Sequence, residues 1–155
     1  MNDYTAIYIS YSQFGVFNPN LPNPFNDWRP QHVTQGFAWR PGSVFFKTLE
    51  DDITLSVIMK SSTAVAVGKD CIRAILVPFY VPDSGYVEVA SITDGIQFPL
   101  SGGNYALLCE QGYAETGSAW CRLTFTAQLL TEASIPVADE GITPSYPLIM
   151  EAEAA

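Results

Sequence analysis

An all-β sandwich is the fold this sequence predicts, on three observations. Apolar and polar residues alternate with a period of two through Ile53, Leu55, Val57 and Met59. Turn chemistry recurs at short intervals, at Pro82-Asp83-Ser84-Gly85, Asp94-Gly95 and Ser101-Gly102-Gly103-Asn104. Only one short segment carries helix punctuation. The expectation is an antiparallel β-sandwich of about eight strands with one short helix near residues 28–35.

Residues 5–17 read as a first strand, bent or ended near Gly15, with Tyr11, Phe14 and Phe17 as rings that plug the sandwich. Residues 18–24, NPNLPNP, form a proline-asparagine loop, because residues before proline are pushed to extended geometry. The helix follows in 27–36, with Asp27 as cap, Pro30 in the first turn and Gly36 as the stop. Everything after it reads as strands. Ile72–Tyr80 is apolar almost throughout, which suits a central strand, and Pro78 marks a bulge or the point where pairing stops. Tyr86–Ala90, Ile96–Phe98, Tyr105–Glu110 and Trp120–Leu130 complete the set. The sandwich domain is taken as residues 1–130. Residues 131–155 form an acidic, Pro/Ala-rich extension whose weak periodicity fits packing on the domain or mobility equally.

Of 155 residues, 16 are acidic and 7 basic, a formal net charge of −9. That imbalance repels nucleic acid and anionic membranes and favours a basic protein partner. Charged residues make up only 15% of the chain, against about 25% in an average domain. Some apolar surface is therefore expected to meet another chain, a second copy included. Met1-Asn2-Asp3-Tyr4 lacks a basic start and an apolar core, so no secretory leader is expected. Cys71, Cys109 and Cys121 are odd in number and lack paired spacing, which reads as free thiols in a cytoplasmic protein.

Most chemistries lack their parts. One histidine, His32, rules out a multi-histidine metal site, and no Cys-x-x-Cys is present. His32 suits a solvated or capping role. No Gly-x-Ser-x-Gly surrounds a serine. Ser101-Gly102-Gly103 feeds a strand, whereas a phosphate loop feeds a helix. Glu50-Asp51-Asp52 is the densest carboxylate cluster, and without EF-hand spacing it reads as a solvated turn. No cofactor is expected. Trp120 reads as core, whereas Trp28 and Trp39 flank the helix and are candidates for exposure, as protein anchors or as a sugar-stacking platform.

The segment Ile9–Phe17, ISYSQFGVF, with Asp27-Trp28, Gln35-Gly36-Phe37-Ala38 and Gly42–Phe46, resembles the competence protein J family. The likeness continues through Val77–Val81, Ile96–Leu100 and Gly103–Leu107, covering residues 5–130 in order. The resemblance implies a small acidic protein, not an enzyme, that binds and inhibits a DNA-entry nuclease. It brings no established functional residues with it. On physical grounds the charge candidates are Asp27, Glu110, Glu115 and Glu132, and the anchor candidates are Trp28, Trp39 and Tyr113. A carbohydrate- or small-ligand-binding sandwich, or an immunity protein against a nuclease toxin, are the competing readings.

Overall fold

The structure, a computed structural model, describes residues 2–155, with side chains from Tyr4 onward. Eleven strands and one helix follow in chain order: β1 (Asn2–Ile9), β2 (Gln13–Phe17), α1 (Pro30–Gln35), β3 (Phe37–Arg40), β4 (Ser43–Lys47), β5 (Ile53–Ser62), β6 (Arg73–Val81), β7 (Tyr86–Ala90), β8 (Gly95–Pro99), β9 (Gly103–Tyr113), β10 (Ala119–Ala127) and β11 (Ser134–Val137). They form a six-stranded sheet, β1-β5-β10-β9-β6-β11, packed on a five-stranded one, β3-β4-β2-β7-β8. Every ladder is antiparallel except that of β5 with β10. The strand count exceeds the expected eight because the first predicted strand is two, because residues 37–47, where no individual strand was read, hold β3 and β4, and because the C-terminal extension supplies β11.

The break in that first strand lies at Tyr11 and Ser12, not at Gly15. Both residues are in the left-handed region, with φ of 59° and 54°, so β1 stays in the larger sheet while β2 turns into the smaller one. The Ser12 N–H donates to Asp51 Oδ1 at 2.9 Å and its carbonyl accepts the Thr48 N–H at 2.9 Å. Beyond the turn, alternation sends Phe14 and Val16 into the main core between the sheets. Phe17 lies on the opposite, outer face of the smaller sheet with Phe45 and Ala90, where Phe25 and Trp28 pack on them. Gly15 leaves room for the Phe45 ring, which would stand 2.6 Å from any Cβ there. Tyr11, expected as core, is instead 75% exposed.

Asp27 does not cap the helix; Arg29 occupies the N-cap position and Pro30 opens the helix. His32 does the capping work, its Nδ1 accepting the Arg29 N–H at 2.9 Å. Gly36 stops the helix at φ 88°. The Pro82–Gly85 turn is no hairpin, since it carries the chain from β6 in one sheet to β7 in the other, whereas the turn ending at Asp94 does join paired strands. At Pro78, pairing with β9 continues, while the β11 ladder ends at Leu76. The Pro78 carbonyl accepts the Trp39 indole N–H at 2.7 Å.

After β11 the chain straps the open side of the sandwich. Ile142 is buried, and Gln35 brackets Ile149 by donating to its carbonyl (2.9 Å) and accepting its N–H (3.1 Å). The Ala152 N–H then donates to the Trp39 carbonyl, closing on the free edge of β3. One buried ion pair anchors the strap. Arg73, 2% exposed, directs Nε and Nη2 at both oxygens of Asp139 (2.6 and 3.0 Å) and Nη1 at the Lys47 carbonyl (2.9 Å).

Burial pushes the Asp139 carboxyl up, but the hydrogen bonds and charge of Arg73, aided by the Gly141 N–H, bring it below its ordinary value. The associated stability is complete above the unfolded carboxylate pKa, about 3.9, and disappears as pH falls through the lower folded value. Asp139→Asn should cost about 3–5 kcal/mol in urea unfolding at neutral pH, because it leaves a buried guanidinium uncompensated. That difference from the wild type should shrink below about pH 4. Gly15→Ala should cost about 1–3 kcal/mol in the same assay by forcing the Phe45 ring aside.

Candidate functional site

The structure separates the sequence-predicted site residues into three groups. Glu110, buried, and Trp39, half-buried, are tied into the fold. Glu110 is 1% exposed and fully engaged on the outer side of the larger sheet. Arg122 Nε and Nη2 donate to its two oxygens at 2.9 and 3.0 Å, and the Gly68 N–H donates to Oε2 at 2.7 Å. The same guanidinium pairs with Asp70 at 2.8 and 3.0 Å and lies 4.9 Å over the Trp120 ring. Glu110 therefore pins the loop of residues 63–72 to the sheet and is not a free surface charge. Trp120, expected as core, is half-buried here, its ring against Gly112. The Arg122 hydrogen bond holds Asp70 below the ordinary carboxylate value and, first among its causes, raises the arginine.

Trp39 packs against the main core from β3, with its indole N–H bound to Pro78. Trp28 packs on the outer cluster of the same sheet. The two tryptophans thus lie on opposite faces of one sheet and form no common stacking platform. Alternation within β3 could have shown the inward face of Trp39 alone, since Phe37 and Trp39 share a face and both are apolar.

Glu115 and Glu132 are exposed but apart, Glu115 in the turn between β9 and β10 and Glu132 just before β11. Trp28, Asp27 and Tyr113 belong to one end of the molecule. There Trp28 Nε1 donates to Gln13 Oε1 at 2.9 Å, and a groove of about 330 Å³ runs between Tyr11, Ser12, Gln13, Trp28, Val33 and Lys47. Asp51 binds the Ser12 N–H beside it. Burial, and then a hydrogen bond with Glu50, raises the Tyr113 hydroxyl above its usual value. Among the described residues, the three non-glycine ones with left-handed backbone, Tyr11, Ser12 and Asp52, all occur here. Strain of this kind was invisible in sequence, because none of the three is Gly or Asn. Glu50–Asp52 was visible only as a solvated turn.

Reactive groups elsewhere are occupied or shielded. Burial, followed by the charge of Arg29, holds His32 below its ordinary pKa, partly opposed by Asp27. Its neutral ring is inaccessible. Cys109 and Cys121 are buried thiols 3.8 Å apart, and Cys71 is half-buried with burial raising its thiol. Among the described residues, no group of three or more His, Cys, Asp or Glu side chains is arranged to hold a metal ion.

Fold and surface together define a small acidic two-sheet sandwich whose rings and carboxylates are displayed on its exterior. The family model of competence protein J (ComJ) matches residues 6–126, and the chain belongs to that family. A curated relative, the DNA-entry nuclease inhibitor of Bacillus subtilis (strain 168), is 26% identical over 101 residues, spanning 65% of this chain and 75% of the relative. The crystal structure of ComJ from Bacillus subtilis, an inhibitor of the DNA degrading activity of NucA, matches with a TM-score of 0.72 at 21% identity, over 81% of this chain and 96% of that one. A chain described as crocagin biosynthetic gene J matches with a TM-score of 0.50 at 14% identity, over 80% of this chain and 97% of its own. At such identities the two structures share the fold. The strap from Ser134 onward lies beyond the residues the family model matches.

Glu110 and Glu115 should separate cleanly in urea unfolding. Glu110→Ala should cost about 3 kcal/mol by stripping a buried partner from Arg122. Glu115→Ala should stay within about 0.5 kcal/mol, as expected of an exposed turn residue.

Proposed function

We propose that this protein is a non-enzymatic inhibitor of a DNA-entry nuclease, which it binds and blocks. The observation that carries the reading is membership of the competence protein J family across residues 6–126, together with a curated relative that is a DNA-entry nuclease inhibitor. The charge arrangement supports it. Each ion pair among the described residues uses Arg29, Arg73 or Arg122, and none engages Asp27, Glu50, Asp51, Asp52, Glu115 or Glu132.

A nuclease that holds DNA needs a basic groove, and carboxylates placed there occupy the positions that phosphates would take. On this reading encounter is fast and salt-sensitive, while residence depends on a few ring anchors. Asp27, Trp28 and Tyr113 are retained as partner-binding candidates at one end, and Glu115 and Glu132 as further exposed ones; Glu110 and Trp39 are set aside as structural. The protein would work in the cytoplasm, where a reducing environment keeps its cysteines as thiols.

Titrating the purified protein into a DNA-cleavage assay with the Bacillus subtilis nuclease NucA tests this. Cleavage should fall to background at stoichiometric inhibitor in low salt, and the inhibition constant should rise about tenfold or more as salt approaches physiological strength. Undiminished cleavage in excess inhibitor at low salt would defeat the reading.

A further inference from the structure

We infer that the groove between the Tyr11–Ser12 turn and Trp28 is where this protein grips an arginine or lysine side chain of a basic protein partner. The inference rests on the inhibitor reading and adds to it the place and the chemistry of contact.

Three independent features converge on this groove. First, it leaves apolar surface uncovered that the fold could have hidden. Tyr11 is 75% exposed and Val33, on α1, is 42% exposed, although both border the half-buried Trp28 ring. Second, the chain sustains strain to hold Tyr11 there. A tyrosine in the left-handed region is strained relative to ordinary backbone, and the adjoining left-handed serine adds to that strain. Asp51 and Thr48 clamp the turn through the Ser12 backbone. Trp28 is likewise held in one orientation by the bond from its indole N–H to Gln13. Rigid, outward aromatic rings are anchors that lose little entropy on binding.

The third feature is charge. The cations near the groove have contacts of their own: the Lys47 ammonium keeps its charge but donates to the Gly141 carbonyl at 3.0 Å, and Arg29 pairs with Glu153 at 3.3 Å. Lys47 thus contributes its stem to the groove and turns its head toward the strap. The carboxylates at this end, Asp27 next to Trp28 and Glu50, Asp51 and Asp52 next to the turn, engage in no ion pair among the described residues.

Ring faces combined with a negative border recognise a cation: the π-face attracts the positive head, the apolar walls take the side-chain stem, and the carboxylates supply long-range attraction. A neutral apolar occupant would make no use of the border. A nucleic acid would be repelled by it.

The test uses the full-length, ¹⁵N-labelled protein with tetra-arginine amide as probe. Saturable shifts should appear at the Trp28 indole N–H and at the amides of Tyr11, Ser12, Gln13 and Val33, and they should weaken with salt. Tyr11→Asn removes the ring while suiting the left-handed backbone, so the melting temperature should hold or rise as probe affinity falls about tenfold. Asp52→Asn should preserve the fold and flatten the salt dependence. Ala64→Lys, in the exposed loop of residues 63–72 held on the outer side of the larger sheet, should leave probe binding at the groove unchanged.

The same variants are then assayed as inhibitors of NucA. Loss of inhibition by Tyr11→Asn with wild-type stability supports the assignment. Probe shifts centred elsewhere, no shifts at all, or full inhibition by Tyr11→Asn would overturn it while leaving the inhibitor reading intact. Probe binding at the groove by a wild-type protein that fails to inhibit NucA would instead overturn the functional reading and leave the cation site standing.

Discussion

The Arg73 guanidinium is the constraint around which the rest of this structure is arranged. It is among the largest of the fully buried side chains and carries a full charge between two sheets. Such a group is tolerated only when its donors are met and its charge is paired. Asp139 from the strap supplies the opposite charge and accepts from Nε and Nη2, and the Lys47 carbonyl of β4 accepts from Nη1. Gln111 donates to that same carbonyl at 2.9 Å. Two sheets and the C-terminal extension thus converge on one cation. The remainder of the extension, with little periodicity of its own, follows from that anchor and closes the edge of β3.

The smaller sheet shows how a single segment can serve two faces. In β2, Phe14 and Val16 complete the interior, while Gly15 and Phe17 build a second apolar layer outside it with Phe45, Phe25 and Trp28. The proline-asparagine loop covers that layer and is held by Asn26, whose amide donates to the carbonyls of Ala38 and Ser43 at 2.9 and 3.2 Å. The groove with Tyr11 begins where this cover ends. Surface geometry at that end is therefore a consequence of how the outer layer is packed.

Charge is distributed by the same economy. Seven basic residues serve a chain with 16 acids, and the arginines at Arg73 and Arg122 are consumed in holding the strap and the loop of residues 63–72. What remains outside is a carboxylate excess with few cations to neutralise it. An acidic inhibitor needs such a surface, and here it follows from composition, because the two structural arginines are held by three carboxylates and leave the excess outside almost unchanged.

The sandwich, the short helix with its Gly36 stop and the strands from Ile53 to Met59 and from Tyr86 to Ala90 were legible from local pattern, since alternation and turn chemistry act over a few residues. So was the acidic character, which depends on composition. Pattern could not say which neighbouring strands share a sheet, so Pro82–Gly85 looked like a hairpin and β1 and β2 looked like one strand. Nor could it show that Glu110 is spent on Arg122, that Trp28 and Trp39 face opposite ways, or that Tyr11 stands outside. Those outcomes depend on contacts between residues far apart in the chain, and only the closing of two sheets around a common core brings such residues within reach of each other.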